Sequence, residues 1–114
     1  MHELSMAMAM VEQIQEIMAQ EGAQQLVSVT VVMGALSGVE REAFEFCFPL
    51  AVEGTPLAGA ELRIEEVPLR LRCLACEKES QPEEIAFVCC AECGSGRVEI
   101  IEGRDLVLRS LEVK

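Results

Sequence analysis

Two tight cysteine pairs carry the strongest chemical signal in the chain. They are Cys73-Leu-Ala-Cys76 and Cys90-Ala-Glu-Cys93, with thirteen residues between them. Each two-residue gap lets a sharp turn aim both sulfurs at one point. Two such turns facing each other make a tetrahedral four-sulfur cage, the geometry zinc accepts most readily. Gly94 follows Cys93 directly and can take the positive φ such a turn needs there. The spacing reads as a zinc site in a reducing compartment, ahead of a disulfide pair or a redox Cys-x-x-Cys. Cys89 adjoins Cys90 and offers an alternative three-residue gap to Cys93. Adjacent cysteines do not easily point into one small cage, so Cys90 is taken as the ligand and Cys89 as a bystander. Cys47, within Phe46-Cys47-Phe48, reads as a small apolar core residue, since only Arg41 nearby could lower its pKa.

A second chemical candidate is the start of the chain. His2 is the only histidine. A terminal Met1-His2 offers three nitrogens close together: the α-amine, the His2 amide and the imidazole. Nickel(II) and copper(II) favour square-planar nitrogen sets and can displace an amide proton to obtain them. Glu3 adds a carboxylate. The competing reading is a frayed, solvated chain end, and residue chemistry alone favours that one.

These residues must be held by ordinary elements. Residues 4–20 read as a helix, with Leu4, Ala7, Met8, Val11, Ile14 and Met18 forming the buried stripe and Gly22 ending it. Met6, Met10 and Ile17 widen the apolar arc to about half the helix. Either two layers pack on it, or the Met6–Met10 flank meets a partner. The β-branched run from Leu26 to Met33 reads as a sheet strand closed by Gly34. Ser37-Gly38-Val39-Glu40 matches a capping box, so a second helix should start there and run through Phe44, Cys47 and Phe48. Pro49 should kink or stop it. Gly54-Thr55-Pro56 makes a loop, and Glu61–Glu65 alternates as a half-buried strand. Short strands at Ile85–Val88 and Val98–Ile101 flank the cysteine turns, and Leu106–Val113 is a last strand. The expected fold is α+β: a three-stranded sheet with two helices, plus an inserted zinc-ribbon module. The α/β domain takes residues 1–68 and 102–114, and the ribbon takes 69–101.

Composition narrows the function. The chain has 114 residues, half of them hydrophobic, enough for a real core. Its formal charge of −11 and its lack of tryptophan and tyrosine disfavour nucleic acid. That acidity suits a basic protein partner or the handling of cations. No signal peptide and no apolar run of about 18 residues is visible, so a cytoplasmic protein that does not enter a membrane is expected. An enzyme is disfavoured, because no nucleophile–base constellation, phosphate-binding glycine loop or second histidine is present.

The opening MHELS, the segment MGALSGVE (33–40), the run AFEFCF (43–48), the two Cys-x-x-Cys pairs and the tail DLVLRSLEV follow one another along essentially the whole chain. Together they resemble the HypA/HybF family, nickel metallochaperones that serve [NiFe] hydrogenase and, in some bacteria, urease. The resemblance implies Ni(II) as a transferred metal at the N-terminus and Zn(II) as a structural metal in the ribbon. It implies His2 as the essential nickel ligand, joined by the backbone nitrogens of His2 and Glu3. Glu3 becomes a neighbouring acidic group, and Glu40 a further ligand or supporting residue. Glu40 also has a plain reading as the capping-box partner of Ser37. Cys73, Cys76, Cys90 and Cys93 carry over as zinc ligands. The partners implied are a HypB-type GTPase and the [NiFe] hydrogenase large subunit, with a homodimer left open. The alternative is a zinc-ribbon adaptor that binds only protein and has no nickel site of its own.

Overall fold

A computed structural model describes residues 2–82 and 87–114. The first helix, α1, spans His2–Glu21, and Gly22 ends it at φ +69° while the Ala23 amide donates to the Met18 carbonyl. It is followed by β1 (Leu26–Gly34), α2 (Arg41–Val52) and β2 (Glu61–Val67). Next come β3 (Arg70–Cys73), β4 (Glu79–Ser80), β5 (Val98–Glu102) and β6 (Leu106–Val113). The described strands form two three-stranded sheets, ordered β2–β1–β6 and β4–β3–β5. The fold is α+β, with a three-stranded sheet, two helices and a cysteine module placed between β2 and β6 in the chain. Of the strand expected at Ile85–Val88, positions 85 and 86 lie outside the described residues, and Phe87 and Val88 are not in a strand.

The chain divides into two compact units. The first comprises residues 1–31, 39–65 and 107–114. Its core comes from Ala7, Met10, Val11, Ile14 and Met18 of α1 and from Phe44, Cys47, Phe48 and Val52 of α2, with Leu26, Val29, Val31 and Leu57. The Phe44 and Phe48 rings lie one helical turn apart, with centroids 6.2 Å from each other. Cys47 is a buried core residue, as its apolar neighbours suggest.

Two expectations about the helices are corrected. On α1 the buried stripe runs through Met10 (6 % exposed), while Met8 is 53 % exposed. Met10 therefore belongs to the core and not to a partner-facing flank; Met6 is half-buried. On α2 the cap is Glu40, not Ser37. Gly38 takes φ +78°, outside helical space, and Glu40 is extended at φ −90°, ψ 125°. The Glu40 carboxylate accepts from the Glu42 and Ala43 amides at 3.2 and 2.9 Å, satisfying two of the orphan donors of a helix start. Of the two outcomes expected at Pro49, the stop does not occur, since the helix continues to Val52. The Pro49 ring is on the exposed side, so the lost amide costs one bond at the surface.

The second unit comprises residues 32–38 and 66–106. Within it β3 pairs antiparallel with β4 (Leu71↔Ser80) and with β5 (Leu71↔Ile100, Cys73↔Val98). Three backbone segments also meet directly. The Gly34 amide donates to the Asp105 carbonyl at 3.0 Å, Ala35 to Val67 at 3.1 Å, and Leu36 to Gly103 at 2.7 Å. A Cβ on Gly34 would land on the Gly103 backbone. Gly103 takes φ +96°, and a Cβ there would stand 2.8 Å from Leu69 Cα. Only glycine permits main chain to approach main chain this closely.

Candidate metal centres

Each cysteine turn of the second unit is built the same way. The Cys73 sulfur receives the amides of Ala75 and Cys76, both at 3.3 Å, and the Cys90 sulfur receives those of Glu92 and Cys93 at 3.4 and 3.5 Å. The turns close when Glu77 donates to the Cys73 carbonyl (3.0 Å) and Gly94 to the Cys90 carbonyl (2.9 Å). Both closing residues are left-handed: Gly94 at φ 76°, as its identity predicts, and Glu77 at φ 64°. Glu77 thus plays the part of Gly94 in the first turn, which its residue type conceals. Strand β3 ends on Cys73, and the Cys90 amide donates to Ser95.

The two turns place the four sulfurs of Cys73, Cys76, Cys90 and Cys93 within 4.8 Å of one another. Cys73 and Cys93 approach to 3.6 Å, and Cys76 and Cys90 to 3.7 Å. A zinc tetrahedron with bonds of about 2.3 Å has sulfur–sulfur edges of about 3.8 Å, so the donor set fits that ion in number, type and spacing. Zinc bound there would be closed off by four protein ligands and would tie the two turns together. Cys89 is half-buried and is not part of the group.

The sulfurs differ in acidity without metal. The Cys93 amide is the main influence that lowers Cys90 to about 6, with the Glu92 amide adding to it. Cys73 is lowered by the amide of Cys76 first. Cys93 is drawn down by the Ser95 amide, but Cys73, burial, Cys76 and Cys90 outweigh it and push the thiol up to about 12. Cys76 is drawn down by the Lys78 amide and is nonetheless raised by burial and by Cys73 and Cys90. Cys76 and Cys93 therefore carry protons at neutral pH, and zinc must displace both. Affinity consequently falls as pH falls, by at least about a hundredfold per unit, because at least these two protons are released. Competition with a chelator at pH 7.5 and 6.5 should show that drop; a constant affinity would mean the thiols are already ionised.

The other candidates meet in the first unit. His2 is the exposed first residue of α1, and its carbonyl accepts from Ser5 Oγ at 2.9 Å. Glu3 lies in the first turn, and its Oε2 accepts the Glu40 amide at 3.2 Å. That hydrogen bond is the main reason the Glu3 carboxyl sits below the usual carboxylate range; the Glu3 amide adds to it. Glu3 and Glu40, 37 positions apart, are thus joined. Both Glu40 oxygens are occupied by the start of α2. Nothing in the residue pattern announces this bond, because it depends on how α1 and α2 pack.

Comparison with known proteins shows what the chain is similar to. Residues 1–113 match the family described as "Hydrogenase/urease nickel incorporation, metallochaperone, hypA". The chain is 42% identical over 114 residues to the hydrogenase maturation factor HypA of Chlorobaculum tepidum, covering 100% of both. A solution structure of HypA protein superposes with a TM-score of 0.74 at 26% identity, covering 100% of this chain and 97% of that one. The solution structure of the nickel metallochaperone HypA from Helicobacter pylori shares the fold, with a TM-score of 0.72 at 24% identity, covering 97% and 96%. Four clustered cysteines, a helix that begins at His2 and a match along the whole chain have one common meaning: the chain belongs to the HypA family of nickel metallochaperones for hydrogenase maturation, which are maturation factors and not enzymes.

Proposed function

We propose that this chain carries Ni(II) on its N-terminal residues and delivers it during [NiFe] hydrogenase maturation, while Zn(II) on Cys73, Cys76, Cys90 and Cys93 holds the 69–101 module in shape. The nickel ligands are the His2 imidazole and the amide nitrogens of His2 and Glu3; with Met1 as first residue, its amine completes the set. The observation that carries the reading is the start of α1 at His2. The first amides of a helix have no intrahelical acceptor, so ligation there breaks no helical hydrogen bond. The helix dipole also favours the negative charge left on a deprotonated amide. Protonation of imidazole or amide releases the metal, which suits a carrier. Glu3, held by the Glu40 amide, supplies compensating charge beside the cation. Glu40 acts by capping α2 through its carboxylate and by anchoring Glu3 through its amide.

The partners proposed are a HypB-type GTPase and the hydrogenase large subunit in the cytoplasm; urease is a second client. Among the described residues no helix is long and apolar enough to cross a membrane. Calorimetry on zinc-loaded protein tests the nickel site. His2→Ala should lose one equivalent of tightly bound nickel and keep its zinc. Equal nickel affinity in wild type and variant would remove His2 from the site and leave the protein-only adaptor standing.

A further inference from the structure

The core face of α2 is accounted for by Phe44, Cys47, Phe48 and Val52. Its opposite face is not built like a solvated one. Phe46 is 70 % exposed and Leu50 is 53 % exposed, one helical turn apart, with Pro49 exposed beside them. Residues 46–52 contain no charge, whereas the same face carries Glu42 one turn before Phe46 and Glu53 one turn after Pro49. At 100° per residue these five positions fall within about 100° of one another. The result is an apolar patch with a carboxylate at each end, about 16 Å apart at 1.5 Å per residue. Neither Glu42 nor Glu53 has an ion-pair partner among the described residues, whereas Glu45, on the flank, is paired with Arg41 at 2.7 Å. Pro49 adds a third element. It has no N–H to give the Glu45 carbonyl, so that oxygen loses its usual helical donor.

We propose that this face of α2 docks a basic amphipathic helix of a partner protein, with apolar residues on Phe46, Pro49 and Leu50 and cations on Glu42 and Glu53. Charge selects the occupant. A second copy of the chain would set Glu42 and Glu53 against carboxylates of the same sign, on molecules that each carry −11. Anionic lipid and nucleic acid meet the same repulsion. A helix with two lysines or arginines eleven residues apart, bracketing leucines, matches both the charges and the apolar centre. The patch lies on the helix whose Glu40 cap holds Glu3. Phe46 is about 9 Å along that helix from Glu40.

The probe is a labelled 18-residue helical peptide of leucine, alanine and lysine, with its lysines eleven residues apart around a leucine strip. Binding is read by fluorescence anisotropy on zinc-loaded, nickel-free protein, so the result does not depend on the nickel site. The peptide should bind wild type, and Phe46→Ser/Leu50→Ser should weaken it at least tenfold. Glu42→Gln/Glu53→Gln should weaken it several-fold and flatten its salt dependence while leaving the apolar patch intact. Circular dichroism should be unchanged in all, because every altered side chain is exposed. Equal affinity of the wild type and both variants, or no binding to wild type, overturns the proposal. So does a wild type that sediments as a dimer and becomes monomeric in Phe46→Ser/Leu50→Ser, which would assign the face to a second copy.

Discussion

Cys73→Ser and Cys90→Ser should each abolish stoichiometric zinc and unfold the module around it. These two sulfurs are almost fully buried, and each is the acceptor of two amides within its own turn. A serine hydroxyl there is a poor zinc ligand, and it leaves a polar group in a site shaped for sulfur. Structural zinc in small modules supplies about 10–16 kcal/mol of apparent binding energy near neutral pH, and that energy is folding energy. Among the described residues of the second unit, the buried side chains besides Cys73 and Cys90 are few: Met33, Leu69 and Leu71. So small a core cannot replace what the metal contributes. Cys89→Ser is the matched control and should keep its zinc. Metal content by mass spectrometry under native conditions and amide NMR spectra read both outcomes. A zinc-deficient Cys89→Ser beside a zinc-replete Cys90→Ser would reverse the ligand choice.

Gly103→Ala should be the most damaging single methyl addition outside the cysteines. It combines a φ of +96°, which L residues avoid, with a Cβ 2.8 Å from the Leu69 main chain. The left-handed penalty is about 1–2 kcal/mol and overpacking against unyielding backbone about 1–3 kcal/mol, so a loss of about 2–5 kcal/mol is expected. Two further variants separate the causes. Gly59→Ala has φ +84° and nothing within 4 Å, so it should show the conformational penalty alone. Gly34→Ala has an ordinary φ but would strike the Gly103 backbone, so it should show the clash alone. Thermal melts of the zinc-loaded proteins should rank Gly103→Ala lowest and Gly59→Ala nearest wild type. Equal melting points for Gly59→Ala and Gly103→Ala would show that the close backbone approach contributes nothing.

The contrast between these two sites shows what a reader of the chain can and cannot extract. The cysteine cage was legible because each pair is local: a two-residue gap forces a turn whatever surrounds it. Strands β1 and β6 were legible for the same reason, since continuous β-branched and apolar runs of eight or nine residues have few other uses. The glycine contact joins positions 34 and 103, and no local pattern records that two backbones will meet. The start of α2 was misread because Ser37 and Glu40 satisfy the capping-box spacing, while the positive φ of Gly38 between them does not appear in a residue list. On α1, apolar residues cover so much of the circumference that periodicity could not say whether Met8 or Met10 faces inward; the packing of α2 against α1 decides it. β3 and β4 are too short to alternate, and the hairpin geometry of the turns creates them. At the N-terminus the nickel reading rested on resemblance. The structure adds the Glu3–Glu40 bond, which the residue types could not announce.

The uneven treatment of the four sulfurs also bears on what the module risks when its metal is lost. Thiolates, not thiols, attack electrophiles and oxidants. Cys90, lowered to about 6, is ionised at neutral pH, and it is buried. Cys93 is the most exposed residue of the four, and at about 12 it keeps its proton. Nucleophilicity and accessibility therefore sit on different atoms. While the two turns keep this arrangement, the ionised sulfur is shielded from alkylation and stray disulfide exchange; a module that loses its zinc and unfolds loses that shielding as well.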